Sequence, residues 1–317
     1  MKYLIFLISS TLLTGACSLR NTASLEPKGM EPLTTVTVET GNLKAIFVDN
    51  QAVAPIHRAG YNGIAELYHT GQDSTLFVPT VSGFNLEHIY SGDSLAELFE
   101  PRVHPMTMYK KNDLEVLLYQ TPTPITGVES LTEFKLVPPH YIDVTFRCVL
   151  HNKDYFRHNF AGLFWASYIN QPSDKKIYFK GTREGQSEEE WISAFSEKHG
   201  YKSTHKGLND NHDFYFVPGF SATLANNYSG YRYTEPFYYG LFHNMVLAFL
   251  FDSDEIIRFT QSPTGGGKFN PAWDFQYLIP NPKTGREYSF KARMVYKAFI
   301  NKEDINQEYD QWKNINK

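Results

Sequence analysis

Apolar and polar residues alternate with period two along most of this chain. Residues 35–40 alternate as Thr-Val-Thr-Val-Glu-Thr, and Leu43-Lys44-Ala45-Ile46-Phe47-Val48 follows after Gly41-Asn42, which predicts a hairpin. Residues 114–119 and 131–137 read as strands, separated by turn signals at Pro122, Pro124 and Gly127. Residues 142–149 and 177–179 alternate in the same way. Further strands are predicted over 214–217, 245–251, 256–259 and 288–296. Within this series one helix is predicted, over 187–195. Ser187 caps it, Glu188, Glu189 and Glu190 form an acidic first turn, and Trp191, Ala194 and Phe195 share a face. Residues 198–212 are charged, short of large apolar groups, and read as a long loop. The tail from Glu303 is amphipathic and predicts a short helix. Strand following strand, without alternating helices, argues against a parallel α/β fold. The expected fold is all-β: a large sandwich of two antiparallel sheets with a few short helices.

The N-terminus departs from this pattern. After Lys2 comes an apolar run, residues 3–13, too short to span a bilayer. It ends in Leu13-Thr14-Gly15-Ala16-Cys17-Ser18, which resembles a bacterial lipoprotein signal. Residues 1–17 are therefore expected to be a signal with a lipidated Cys17; an ordinary cleaved signal peptide is the alternative. Residues 18–34 are polar and aperiodic and read as a flexible tether. Residues 35–300 read as one domain and 301–317 as the tail. The expected location is the cell envelope, with lipid as the membrane contact. Cys148, in a strand-like run, reads as a buried small apolar residue with no disulfide partner.

Composition sharpens the picture. The 21 Tyr and 24 Phe favour strands and supply large rings to a core. A net charge of −4, with no basic blocks, gives no electrostatic case for nucleic acid. The 11 His exceed what packing needs. Many polar groups gather in residues 55–93, where His57-Arg58-Ala59-Gly60-Tyr61-Asn62-Gly63 and Asn85-Leu86-Glu87-His88 flank the apolar run Leu76-Phe77-Val78-Pro79. Such side chains move protons, bind anions or ligate metal.

The overall run resembles the galactose-mutarotase-like β-sandwich superfamily. The resemblance is carried by Gly162-Leu163-Phe164-Trp165-Ala166-Ser167-Tyr168, by Gly265-Gly266-Gly267 leading into Asn270-Pro271-Ala272-Trp273-Asp274-Phe275-Gln276, and by Gly285-Arg286-Glu287-Tyr288. It implies a supersandwich and a place among sugar epimerases, glycoside hydrolases and polysaccharide lyases. The chain also resembles a group of secreted bacterial lipoproteins with an HRAGYNGI-type stretch. The histidine motif of the sugar 1-epimerases is not visible here, so none of their catalytic residues is carried over.

Two readings of the polar turns follow. In one, His57, Glu87, His88 and His140 hold a divalent metal. In the other, a His or Tyr is a general base and Arg58 or Arg102 holds an anionic group, as abstraction of a proton beside a uronate carboxylate requires. His104 is a further histidine at a turn. In the second half, Phe164-Trp165, Tyr168 and Asn170 form one wall. Arg232, Glu235 and Tyr238 lie in a Tyr-dense run, and Trp273-Asp274-Phe275-Gln276 marks another edge. Glu129 and Glu235 are a candidate glycosidase pair. The catalytic candidates are thus His57, Glu87, His88, His140 and Glu235. Candidates for substrate contact are Arg58, Tyr61, Asn62, Arg102, Trp165, Tyr168, Arg232, Tyr238 and Trp273. A structural role competes with each, because rings fill sandwiches and imidazoles bond to backbone. Two function classes result: a lyase or hydrolase acting on an oligo- or polysaccharide, or a non-catalytic glycan-binding surface lipoprotein.

Overall fold

A computed structural model describes residues 24–93, 97–252 and 256–315. The expected signal, Cys17 and the start of the expected tether lie outside these residues. Strand β1 (Pro32–Leu33) leads into an antiparallel meander of β2 (Thr35–Thr40), β3 (Leu43–Val48) and β4 (Gly63–His69). β5 (Asn85–Tyr90) and a single helical turn, α1 (Glu100–Val103), follow. A second meander runs through β6 (Met106–Lys110), β7 (Glu115–Gln120), β8 (Val128–Val137) and β9 (Tyr141–Leu150). Next come β10 (Phe160–Ala166), β11 (Ile177–Arg183), β12 (Glu190–Ala194) and β13 (Thr204–Gly207). The later strands are β14 (Tyr228–Tyr233), β15 (Phe237–Phe242), β16 (Met245–Phe251), β17 (Ile256–Ser262), β18 (Ala272–Pro280) and β19 (Glu287–Ala298), before helix α2 (Lys302–Ile315).

Hydrogen bonding runs through β1-β6-β7-β8-β9-β19-β16-β15-β11-β14-β13-β17-β18-β10-β5, with β12 on β11. Pairing is antiparallel except between β13 and β14. This ribbon folds over so that β8, β9, β19 and β16 face β10, β18 and β17, which makes the two layers of the sandwich. Inward-facing rings carry the contact. Phe146 of β9 meets Trp165 of β10 edge-on at 4.8 Å, and Phe251 of β16 meets Phe275 of β18 at 4.7 Å. Trp165 lies flat against Phe275 at 5.1 Å. The β2-β3-β4 sheet closes one end, with Phe47 against Phe134 at 5.1 Å. Full burial of each such side chain stabilises the fold by roughly 1.5–3 kcal/mol.

Three local expectations are corrected. The helix expected over 187–195 is strand β12, because Ile192 and Ala194 alternate into the core and their backbone pairs with the edge of β11. The loop expected over 198–212 contains β13. Residues 214–217 form no strand. Their rings cover the outer face of the second layer instead, with Phe214 stacked on Phe160 at 4.5 Å. The segment expected to be a flexible tether lies along the sheet from Ser24 onward. The Ser24 hydroxyl and Leu25 N–H donate to Glu129 Oε1 at 2.6 and 2.9 Å, Leu25 is buried, and β1 pairs with β6. Cys148 is buried, and the tail is helix α2.

Candidate active site

The outer face of the second layer is roofed by α1 and by loops, and under that roof lies a cleft of about 250 Å³. The turn at 57–63 builds its rim. The carbonyl of Tyr61 is 2.9 Å from His57 Nε2, which fixes the loop. Asn62 then binds β5 as a strand would. Its Nδ2 donates to Asn85 Oδ1 and to the Leu86 carbonyl at 2.9 and 3.0 Å, while its Oδ1 accepts the Leu86 N–H at 3.0 Å. Gly63 has φ +95, and a Cβ there would stand 2.7 Å from the Gly83 and Phe84 carbonyl oxygens, so no side chain fits. This leaves Tyr61 in the cleft wall and Arg58 at its edge, donating to the Tyr61 hydroxyl at 2.6 Å.

A bulge aims the central pair. Phe164 of β10 faces His88, and its neighbour Trp165 faces Leu86, so Glu87 is the extra residue in β5. Plain alternation would send Glu87 and His88 to opposite faces. The bulge turns both into the cleft, a common use of the device. Glu87 Oε1 accepts from Arg102 Nη1 at 2.8 Å and from the Tyr168 hydroxyl. Arg102 comes from α1, which Asn50 clasps by donating to the Pro101, Arg102 and His104 carbonyls at 3.2, 3.1 and 2.6 Å. The Arg102 guanidinium also donates to the Gly60 carbonyl and lies over the Tyr61 ring at 3.8 Å.

His88 is buried, with Phe99 and Phe164 beside its ring. Its Nδ1 bonds the Leu98 carbonyl and so carries the proton, which leaves the neutral Nε2 as an acceptor, 3.5 Å from Glu87 Oε2. Burial lowers the affinity of His88 for a second proton, and Glu87 opposes this in part. Across the cleft is Asp274 on β18. Its Oδ1 accepts the Ser167 N–H at 3.0 Å, and its Oδ2 has no hydrogen-bond partner among the described residues. Burial pushes this carboxyl well above the ordinary carboxylate range; the Ser167 bond opposes the shift and Glu87 adds to it. His199, held at 3.0 Å by Ser262 Oγ, completes the titratable lining.

Of the sequence candidates, the cleft gathers Tyr61, Glu87, His88, Arg102 and Tyr168, with Arg58 at its edge. The others are placed elsewhere. His57 and Asn62 are buried supports behind the rim. His140 packs against α2, with Nε2 3.6 Å from Glu308 Oε1. Trp165, Tyr238 and Trp273 are interior packing. Arg232 donates to the Gly207 and Asp210 carbonyls, and Glu235 lies 3.6 Å from Lys180. Glu129 is bound by Ser24, Tyr119 and His151, so it forms no pair with Glu235. His104 is near Thr121, and Asn170 donates to the Thr75 carbonyl. Among the described residues no three of His, Cys, Asp and Glu come together as a metal site, because His57, His88 and His140 are held apart. Sequence reasoning missed His199 and named Asp274 only as part of the edge at Trp273-Asp274-Phe275-Gln276. The signal for Asp274 was an acid between Trp273 and Phe275, where strand parity places it on the face opposite those rings.

The architecture is the galactose-mutarotase type of β-sandwich. No family model and no curated protein matches the sequence. Solved structures match its shape. One is a protein described as an aldose 1-epimerase from Escherichia coli K12, 11% identical, with TM-score 0.50 over 84% of this chain and 99% of that one. An aldose epimerase homologue from C. elegans is 7% identical, with TM-score 0.46 over 85% of this chain and 100% of that one. Heparan sulfate lyase HepC from Pedobacter heparinus is 10% identical, with TM-score 0.41 over 84% of this chain and 35% of the lyase. At these identities the likeness is one of fold.

Proposed function

We propose that this protein acts on a neutral sugar by general acid–base chemistry at the anomeric carbon, in the cleft between Glu87-His88 and Asp274. The observation that carries the reading is the opposite tuning of two buried groups in one cavity. Burial disfavours the charged form of each, so His88 rests as a base with a free Nε2 and Asp274 rests as a protonated acid. Asp274 donates its proton to the departing ring or glycosidic oxygen. His88 Nε2 takes the proton from the anomeric hydroxyl or from an attacking water. Glu87 steadies the imidazolium that forms, while Arg102 and Tyr168 hold Glu87 in place.

Charge selects the substrate class. Arg102 is already paired with Glu87, Asp274 is neutral, and among the described residues no other Arg or Lys is in the wall to hold a carboxylate; Arg58, at the edge on the Tyr61 hydroxyl, is not part of that wall. This favours a neutral sugar over the uronic acid that a lyase needs. At about 250 Å³ the cavity falls just below the usual span of ligand sites, about 300–1,000 Å³, and suits one ring. The fold shared with a protein described as an aldose 1-epimerase is consistent with this chemistry. We further propose export and a lipid anchor at Cys17, which would bring envelope glycans within reach.

A panel of neutral aldoses and oligosaccharides followed in parallel by polarimetry, reducing-end assay and ultraviolet absorbance tests the reading. A changed rate of optical rotation alone means 1-epimerisation, and new reducing ends mean hydrolysis; both support it. New absorbance from a carbon–carbon double bond means elimination, and no turnover on any sugar leaves a glycan-binding protein. Either of these two outcomes would refute the proposal.

A further inference from the structure

A second cleft, of about 400 Å³, opens beside the first. One loop, residues 196–203, lines both: His199 is in the first wall, and Glu197 and Tyr201 are in the second. β17 pins the loop at both ends. The Ser196 N–H donates to Gln261 Oε1 at 2.8 Å, and the Gln261 N–H donates to the Ser203 carbonyl at 3.1 Å.

The lining is aromatic and charge-balanced. Phe195 and Tyr201 leave 49% and 41% of their surface in water, and Tyr231 is half-buried beside them. Scattered exposed rings are normal on a protein surface, but here two share one concavity with a third that is half-buried. Arg183 and Lys202 offset Glu184 and Glu197. His205 at the floor adds no charge, since burial drops its pKa to about 3. An anionic polymer would call for an excess of basic groups. Rings for the C–H faces of a sugar, ringed by donors and acceptors of both signs for its hydroxyls, fit a neutral glycan. Lys198 and Lys202 lie over the Tyr201 ring at 5.4 and 5.5 Å, a contact that is weak in solvent and that a sugar face can displace.

We propose that this second cleft is a sugar subsite. The substrate is then a neutral oligosaccharide, with one residue in the first cleft and another, beyond the 196–203 loop, against Phe195 and Tyr201. The proposal rests on the sugar reading of the first cleft and adds chain length to it.

Calorimetric titration of the full chain with maltohexaose, cellohexaose and xylohexaose, against glucose and xylose, tests it. At least one hexasaccharide should bind roughly tenfold or more tightly than its monosaccharide. The Phe195→Ala/Tyr201→Ala variant should lose that gain while keeping monosaccharide affinity and melting temperature, because both rings are exposed. A wild type with no gain from any hexasaccharide overturns the subsite, as does a variant that keeps the gain. The two proposals can fail separately. Turnover of a monosaccharide without the gain rejects the subsite alone. A gain lost in the variant, with no turnover of any sugar, rejects the acid–base reading alone.

Discussion

Asp274→Asn should make the protein more stable at neutral pH while stopping its chemistry. Asp274 is 1% exposed, and burial raises its pKa well above the ordinary 3.8. In the unfolded chain the carboxyl ionises near that ordinary value, whereas in the native chain it keeps its proton. Between those two pKa values the native state binds more protons, so stability falls as pH rises, by about 1.4 kcal/mol per pH unit. Below the unfolded value both states are protonated and the penalty vanishes. Asparagine keeps an oxygen for the Ser167 N–H and cannot ionise. The variant should therefore match wild type near about pH 4 and become progressively more stable than it as pH rises toward about 7. Urea melts across that range measure the difference directly. A gap that does not change with pH, or a variant less stable at about pH 7, would refute the assignment of a neutral buried acid.

Three further outcomes are expected. Asp210→Ala should cost about 3–5 kcal/mol, because it strands Arg258, which is fully buried and donates to Asp210 Oδ2 at 2.7 Å; Asp210→Ala/Arg258→Met should recover much of that in the same urea melts. Burial pushes the Asp210 carboxyl up but Arg258 outweighs it and leaves it low, so this pair stabilises the fold above the ordinary carboxylate pKa and is lost as pH falls through the lowered one. His140→Ala should lower stability by about 1 kcal/mol and leave turnover per folded molecule unchanged, since His140 supports Glu308, whose pKa is about 2 because His140, Lys297 and Tyr141 outweigh burial. Cell fractionation should find the wild type with membranes and Cys17→Ala in the soluble fraction; a variant that stays with membranes would contradict lipid anchoring.

The sandwich was legible because alternation survives in strands with one face toward the core. β9 is buried at every second position through most of its length and is easily read. Alternation fails where both faces are covered. β18 is buried at eight consecutive positions, so Trp273 looked as much like a site residue as Asp274 did. The bulge at Glu87 is a mismatch in length between β5 and β10, and it exists only once the two strands pair. The acidic run at 188–190 fits a helix start locally, but the open edge of β11 offers Trp191–Ala194 a ladder of hydrogen bonds that local propensity does not foresee. The His57–Asn62 turn was found from its polar residues, yet its buried members brace the site and its outer ones face it. Density of chemistry in sequence marked the neighbourhood without separating the two.

The most direct test of the central claim is the turnover number of His88→Ala and Asp274→Asn on whichever neutral sugar the wild type converts, with melting curves recorded alongside. The account predicts that each variant stays folded and loses about 100-fold or more in kcat. Folded variants that both keep the wild-type kcat would contradict it.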